Sequence, residues 1–495
     1  MKETNNDINR RKFISGSALV MSGILSPLSL LHGASVKNGK DFEQPGKMTN
    51  DQPTDLDINT IPNFCSHEHW GSIDAIGEAP AQDGFRCDTT AGARPFRPTS
   101  IWDLVLDPYV GGWLFDIGRD PNKSAIAAGY SSQLDWWKSK PQAAMDQFKS
   151  TFRSSVLTGG FQCTRRGILK LHGVDIGKFK LEDWKVADVS IANRYSQIFS
   201  WYQEAMRKAH FSELIRPVHP EYYIQEDAPE SSRQEHSFTH TILRIDPFLD
   251  LWKIKSPRRD ALSKIAGIEP ADAQSWREFI TRIFDLAAKN HTTGIKQLQA
   301  YRRSLDYQPR TDSEVNFRGD LNESEITCFQ DWVMHECCKQ VHERNWAHQV
   351  HVGTNNIVHS SPMPMEALAN RYPQMNIVMI HCWPFLKEAG WLAKELPNMY
   401  IDTCWLPVLN PSFFREALDT WLNYVPLHKI MLAHDSTTVE MATGSSLFTR
   451  EILGEALLIQ QRMLQLSVGE LRMYAADMLH NNAVRLYKIG TEFNA

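Results

Sequence analysis

From residue 240 to residue 436 the sequence alternates short apolar runs with longer amphipathic ones, and this alternation restricts the fold more than any other feature. "HTILRIDPF" (240–248) reads as a strand, "AQSWREFITRIFDLAAKN" (273–290) as a helix, and "TTGIKQLQAY" (292–301) as the next strand. "NESEITCFQDWVMHECCKQVHERN" (322–345) opens with an Asn or Ser cap and continues as a periodic helix. The strands "AHQVHVG", "NIVMIHCW", "NMYIDTCW" and "KIMLAHDS" follow, separated by three more helical stretches. Apolar strands alternating with helices build parallel sheets from βαβ units. So many units in series favour an α/β fold of the eightfold (β/α)8 TIM-barrel kind over an open sheet.

The first half does not alternate. Residues of about 73–233 are rich in Trp, Pro and charge, with helical pieces such as "QAAMDQFKSTFRSSVL". They are expected to form a long, mainly helical insertion after an early strand, folded over the barrel mouth. "ELIRPVHP" is a candidate strand hidden within it. Ahead of the barrel, residues 36–55 form a polar linker rich in Pro, Gly and Asn, so the folded unit is expected to run from 56 to 495. Residues 1–35 pair Arg10 and Arg11 before a moderately apolar run broken by Ser and Gly. A basic region followed by an apolar stretch is the form of a signal peptide, and the arginine pair resembles a twin-arginine export signal. The expectation is an exported, periplasmic protein that meets the twin-arginine machinery. The run is too short for a stable membrane span.

Length alone, at 495 residues, allows two to four domains or one barrel with insertions. A 42% hydrophobic and 22% charged composition can supply a large core. A net charge of −5 without a basic stripe argues against nucleic acid as the partner. The eight cysteines are sparse and form no C-x-x-C, so most read as buried small apolar residues rather than zinc ligands.

The strand ends carry the chemistry. His67 and His69, in "NFCSHEHW", follow the first strand one residue apart. In a strand such residues share a face, so the two imidazoles can grip one metal ion, or they can be polar residues closing the strand. Glu68 between them is expected to face the other way and to be structural. Arg244 and Asp246 sit in "LRIDPF", Lys296 in "GIKQLQAYR", and Asp402 in "YIDTC". His351 ends "QVHVG", His381 ends "IVMIHCW", and Asp435 ends "MLAHDS". In a barrel the C-terminal strand ends converge on one site. Imidazoles at three strand ends with an aspartate at the last therefore point to a metal centre.

This set resembles the amidohydrolase superfamily of metal-dependent barrels, which has H-x-H on the first strand, His on the fifth and sixth, and Asp on the eighth. "GIKQLQAYR", "QVHVG", "VMIHCWPFLKEAGWLAKELPNMYID" and "KIMLAHDS" look like its amidohydrolase-related branch, which includes aromatic-acid decarboxylases and the barrel domain fused to glutamine synthetase. The closing "YAADMLHNNAVRLYKI" is similar to the helix that ends many such barrels. The resemblance implies a divalent ion, zinc first, held by His67, His69, His351 and Asp435, with one ion expected rather than two. It implies that Asp435 is both ligand and proton acceptor. His381 is either a second-metal ligand or the group that polarises the substrate. Lys296 is either a carboxylated bridge between two ions or a free amine pairing with an anionic substrate. Arg302 and Arg244 can clamp a carboxylate bidentately or serve as structural ion pairs. Trp70, Trp383 and Trp405 can wall the pocket or pack the fold.

The leading expectation is hydrolysis of a C–N or ester bond in a small polar, anionic substrate. Decarboxylation or a uronate-isomerase-like reaction in the same site is the alternative. A non-enzymatic binding protein on a degenerate barrel is a third, and it predicts missing ligands where none is missing. A homo-oligomer is compatible with all three.

Overall fold

The computed structural model describes residues 56–70, 97–105, 109–110, 126, 128–153, 156–224, 235–354 and 356–495. The expected export signal and linker lie outside these residues.

Among the described residues, eight parallel strands follow one another around a single sheet in sequence order. They are β1 (Asn63–Cys65), β2 (Phe211–Val218), β3 (Thr239–Arg244), β4 (Thr292–Gln297), β5 (Ala347–Val352), β6 (Asn376–His381), β7 (Met399–Asp402) and β8 (Ile430–Met431). Beyond the last strand the chain returns to the first. Asp435 N donates to His67 O at 3.0 Å, and His69 N donates to Ser436 O at 2.9 Å. The eighth strand's continuation is thus laced to the first strand's at the C-terminal rim, as in a TIM barrel.

From β3 onward the structure follows the sequence pattern, and several helices carry their own start signal. Asp272 caps Ala273–Lys289, and Asn322 caps Glu323–Arg344 in a capping box with Glu325. The apolar faces of these helices bury Trp276, Phe279, Ile283, Phe329 and Val341 against the strands.

The stretch read as one insertion is interrupted: "ELIRPVHP" is β2, so the long helical segment lies between β1 and β2. Its described helices include Gln133–Ser139, Pro141–Phe152, Gly159–His172, Leu181–Tyr195 and Ile198–Ala209. They build an aromatic core in which Trp184 packs 4.6 Å from Trp102 and 5.0 Å from Phe148, ring centre to ring centre. Gly159–His172 docks on Val439–Leu464, the helix that follows β8, at very close range. A Cβ on Gly167 would fall 1.6 Å from Glu440 O, and one on Gly444 would fall 1.7 Å from Cys163 O. Glycine is required on both helices because the two backbones touch. No helix among the described residues is long and apolar enough to cross a membrane.

Candidate metal centre at the strand ends

β1 stops at Cys65, and the next residues carry His67 and His69 over the rim. Their Nε2 atoms lie 3.2 Å apart. Asp435 Oδ1 lies 3.2 Å from His69 Nε2 and 3.8 Å from His67 Nε2. All three side chains are buried. Asp435 adopts a left-handed backbone (φ 55°), a region that non-glycine residues enter at a cost. His381 (φ 70°), Cys382 (φ 65°), Trp405 (φ 70°) and Thr354 (φ 67°) do the same. Five of the eleven non-glycine residues with positive φ among the described residues thus lie at this rim.

The donor set fits a cation. Donors bound at about 2.0–2.1 Å in a tetrahedral site are spaced on the order of 3.3 Å apart, which the triangle of His67, His69 and Asp435 approaches. Asp435 Oδ1 is buried without a hydrogen-bond partner. Two imidazole lone pairs and a carboxylate oxygen turned toward each other repel unless positive charge lies between them. Burial holds the imidazoles of His67, His69, His351 and His381 well below their ordinary pKa, so they are neutral and can offer lone pairs. Burial also raises the Asp435 carboxyl and lowers the Lys296 ammonium.

Gln349, which the sequence reading missed, orients the first ligand. Its Oε1 lies 2.6 Å from His67 Nδ1, and its Nε2 donates to Ser66 O at 2.8 Å and to Tyr487 Oη at 2.6 Å. A carboxamide fixed in this way accepts from Nδ1–H and leaves Nε2 of His67 facing the site. Gln349 is two residues before His351 on β5, and that spacing could have revealed it.

His381 presents its Nε2 to the other carboxylate oxygen, 3.6 Å from Asp435 Oδ2. Its Nδ1 is 2.8 Å from Cys404 O, so the backbone fixes this tautomer too. Lys296 is buried, with Nζ 3.3 Å from His67 Nε2.

His351 stands apart from the triad. Its Nε2 meets Thr354 Oγ1 at 2.9 Å, and its ring lies 4.4 Å from that of His381 and 4.7 Å from that of Tyr301. Arg244 is buried and gripped through Nε and Nη2 by Asp246 Oδ2 at 3.3 and 3.2 Å, while Nη1 lies 3.4 Å from His219 Nε2. Arg302 pairs with Asp250 at 2.5 Å with its side chain 37% exposed. Asp402 is a brace: it accepts from Ser66 Oγ, from Cys404 N at 2.9 Å and from Ala433 N at 3.1 Å. Of the three tryptophans, Trp405 borders the site, 5.3 Å from the His381 ring, and Tyr109 of the insertion lies 5.1 Å from it. Trp70 packs against Tyr202 and Phe211, and Trp383 stacks on Phe413 at 4.0 Å.

Residues 275–489 match the family model described as Amidohydrolase. A curated relative, protein fluG of Emericella nidulans, is 24% identical over 246 residues, which is 44% of this chain and 28% of that protein. The aligned part is thus under a third of that relative's length. Among solved structures, a glucuronate isomerase from Caulobacter crescentus superposes with a TM-score of 0.63 at 13% identity, covering 92% of this chain and 98% of that one. A uronate isomerase from Bacillus halodurans gives 0.61 at 16% identity, covering 88% and 94%. At such identities these structures speak for the fold. The barrel and the gathered donors thus accompany a match to the Amidohydrolase family model over residues 275–489, and in these features the chain resembles the amidohydrolase superfamily.

Proposed function

We propose that this chain is a metal-dependent hydrolase that cleaves a C–N or ester bond in a small, polar, anionic substrate. The observation that carries this reading is the convergence of His67, His69 and Asp435 on one buried point. These residues would hold one divalent ion, with zinc the first expectation from their nitrogen and carboxylate donors. When bound, such an ion supplies Lewis acidity and makes a water proton easier to remove. The remaining work falls to the chain. Asp435 offers its second oxygen as a proton acceptor, and His381, held by Cys404 O, faces that oxygen and can pass a proton to a leaving group. Lys296 supplies buried positive charge for an anionic substrate group, and Trp405 limits water at the same wall. Arg244 adds positive potential from its place on Asp246.

A second reading is isomerisation of a sugar acid, in which Asp435 and His381 move a proton between neighbouring carbons. It is favoured by the fold likeness to two uronate isomerases, which runs through both halves of the chain. The two readings differ in whether water is consumed. Turnover of amides, lactones and esters of small acids in ¹⁸O-water should label the released acid. Conversion of uronates without label, or carbon dioxide released from aromatic acids, would replace hydrolysis by isomerisation or decarboxylation.

We also propose that residues 1–35 send the protein out of the cytoplasm by the twin-arginine route. Arg10→Lys with Arg11→Lys should leave precursor in the cytoplasm. Undiminished mature protein outside it would reject the route.

A further inference from the structure

Behind the H-x-H segment lies a second polar cluster. Glu68 points away from the site, into a region where Cys65, Glu68 and His434 are all fully buried. Cys65 Sγ donates to Glu68 Oε1 at 2.8 Å, and His434 Nδ1 lies 3.3 Å from the sulfur and 3.6 Å from the same carboxylate oxygen. The other oxygen, Oε2, accepts from Ser436 N at 2.8 Å. Ser436 is the residue after Asp435, whose backbone is left-handed. The peptide that follows Asp435 is therefore tied to the side chain that stands between the two histidines. Ser436 O receives His69 N, and Asp435 N donates to His67 O. The two backbone bonds align the strand ends, but neither engages the amide N–H of Ser436. That amide has Glu68 as its acceptor.

We propose that Glu68 is a positioning residue of the metal centre: its carboxylate holds the left-handed turn at Asp435 and so sets how closely Asp435 Oδ1 approaches His67 and His69. This rests on the metal-triad reading of the proposed function. A side-chain oxygen accepting the Ser436 N–H pins the residue that follows a turn costly to hold. Outer partners of metal ligands act in this way: they do not touch the ion, yet their loss weakens it. The cluster is a poor ion site itself, because a sulfur and an oxygen 2.8 Å apart are at hydrogen-bond distance, closer than two donors on one ion.

The test is titration of the folded, metal-stripped full chain with Co²⁺, read by its visible absorption and by affinity, with near-ultraviolet dichroism as the check on folding. Glu68→Ala should bind about 10–100-fold more weakly and shift the Co²⁺ bands. Glu68→Asp, whose shorter arm withdraws the carboxylate from Ser436 N, should do the same while filling most of the space. Glu68→Gln keeps an oxygen for Ser436 N and should remain within about threefold of the unsubstituted protein. If Glu68→Ala does not fold, the Glu68→Asp and Glu68→Gln pair still decides. Unchanged affinity and bands in Glu68→Asp overturn the proposal. A second Co²⁺ per chain that disappears in Cys65→Ala overturns it too, since the cluster would then be a metal site. Failure of the unsubstituted protein to bind Co²⁺ at all would instead reject the triad reading beneath it.

Discussion

The two halves of the barrel are built on different plans. From β3 to β8 each strand is followed by a connection that carries helix, often capped by its own residues. Between β1 and β2 the chain instead makes a long helical excursion with its own aromatic core. Yet the candidate centre draws on both. His67 and His69 come from the irregular half, and Asp435, His381 and Lys296 from the regular one. The regular half supplies a scaffold whose form follows from periodicity. The irregular half supplies two donors just beyond a three-residue strand and brings Tyr109 to the wall beside Trp405. A site of this kind depends on the seam between the halves, where β8 meets β1, more than on either half alone.

That contrast can be broken at several points. The largest expected effect is at His381, in the regular half. His381→Ala should keep the bound ion but lose turnover by roughly two to four orders of magnitude, as for removal of a general acid or base. Steady-state rates beside metal content check this, and loss of the ion in that variant would make His381 a ligand instead.

Next comes the irregular half. Trp184→Ala, which opens the aromatic core of the insertion, should cost about 3–5 kcal/mol in thermal or denaturant unfolding and leave metal content unchanged. Loss of the ion in the folded variant would mean that the insertion holds the histidines in place.

From β5 in the regular half, Gln349 reaches a donor of the other half, and Gln349→Leu removes the acceptor for His67 Nδ1. It should weaken metal affinity by about 10–100-fold in a competitive chelator titration. An unchanged affinity would show that His67 is oriented by its backbone alone.

The smallest effect is expected at the rim. Arg302 is more than a third exposed, so its pair with Asp250 is screened by solvent, and Arg302→Ala should change stability by only about 0–1 kcal/mol. A marked rise in KM for an acidic substrate would restore Arg302 as its clamp.

Much of this is legible in the sequence, for different reasons in the two halves. Periodicity and caps disclose β3 to β8, and polar residues at their ends disclose Asp435, His381 and Lys296. β1 is three residues long, too short for any period, and it was visible only through the histidines beyond it. β2 was visible as "ELIRPVHP", but the length of helix around it hid its place in the sheet. Sequence spacing could not show side-chain direction. The resemblance implies His351 as a ligand, and the fold sets its Nε2 2.9 Å from Thr354 Oγ1 beside a left-handed turn. Sequence spacing also left Trp70 and Trp383 as possible pocket walls, although their aromatic partners, Phe211 and Phe413, lie far away along the chain. Glu68 reads in sequence only as structural and Gln349 only as a neighbour of His351 two residues away; the fold shows that each supports a donor from behind.

The central claim is that His67, His69 and Asp435 gather one divalent ion across the seam. Metal analysis of the folded chain, purified without chelators, tests it most directly when run beside His69→Ala and Lys296→Ala. The account predicts one ion per chain, lost in His69→Ala and kept in Lys296→Ala. Two ions per chain that fall together in Lys296→Ala, or one that survives in His69→Ala, would contradict it.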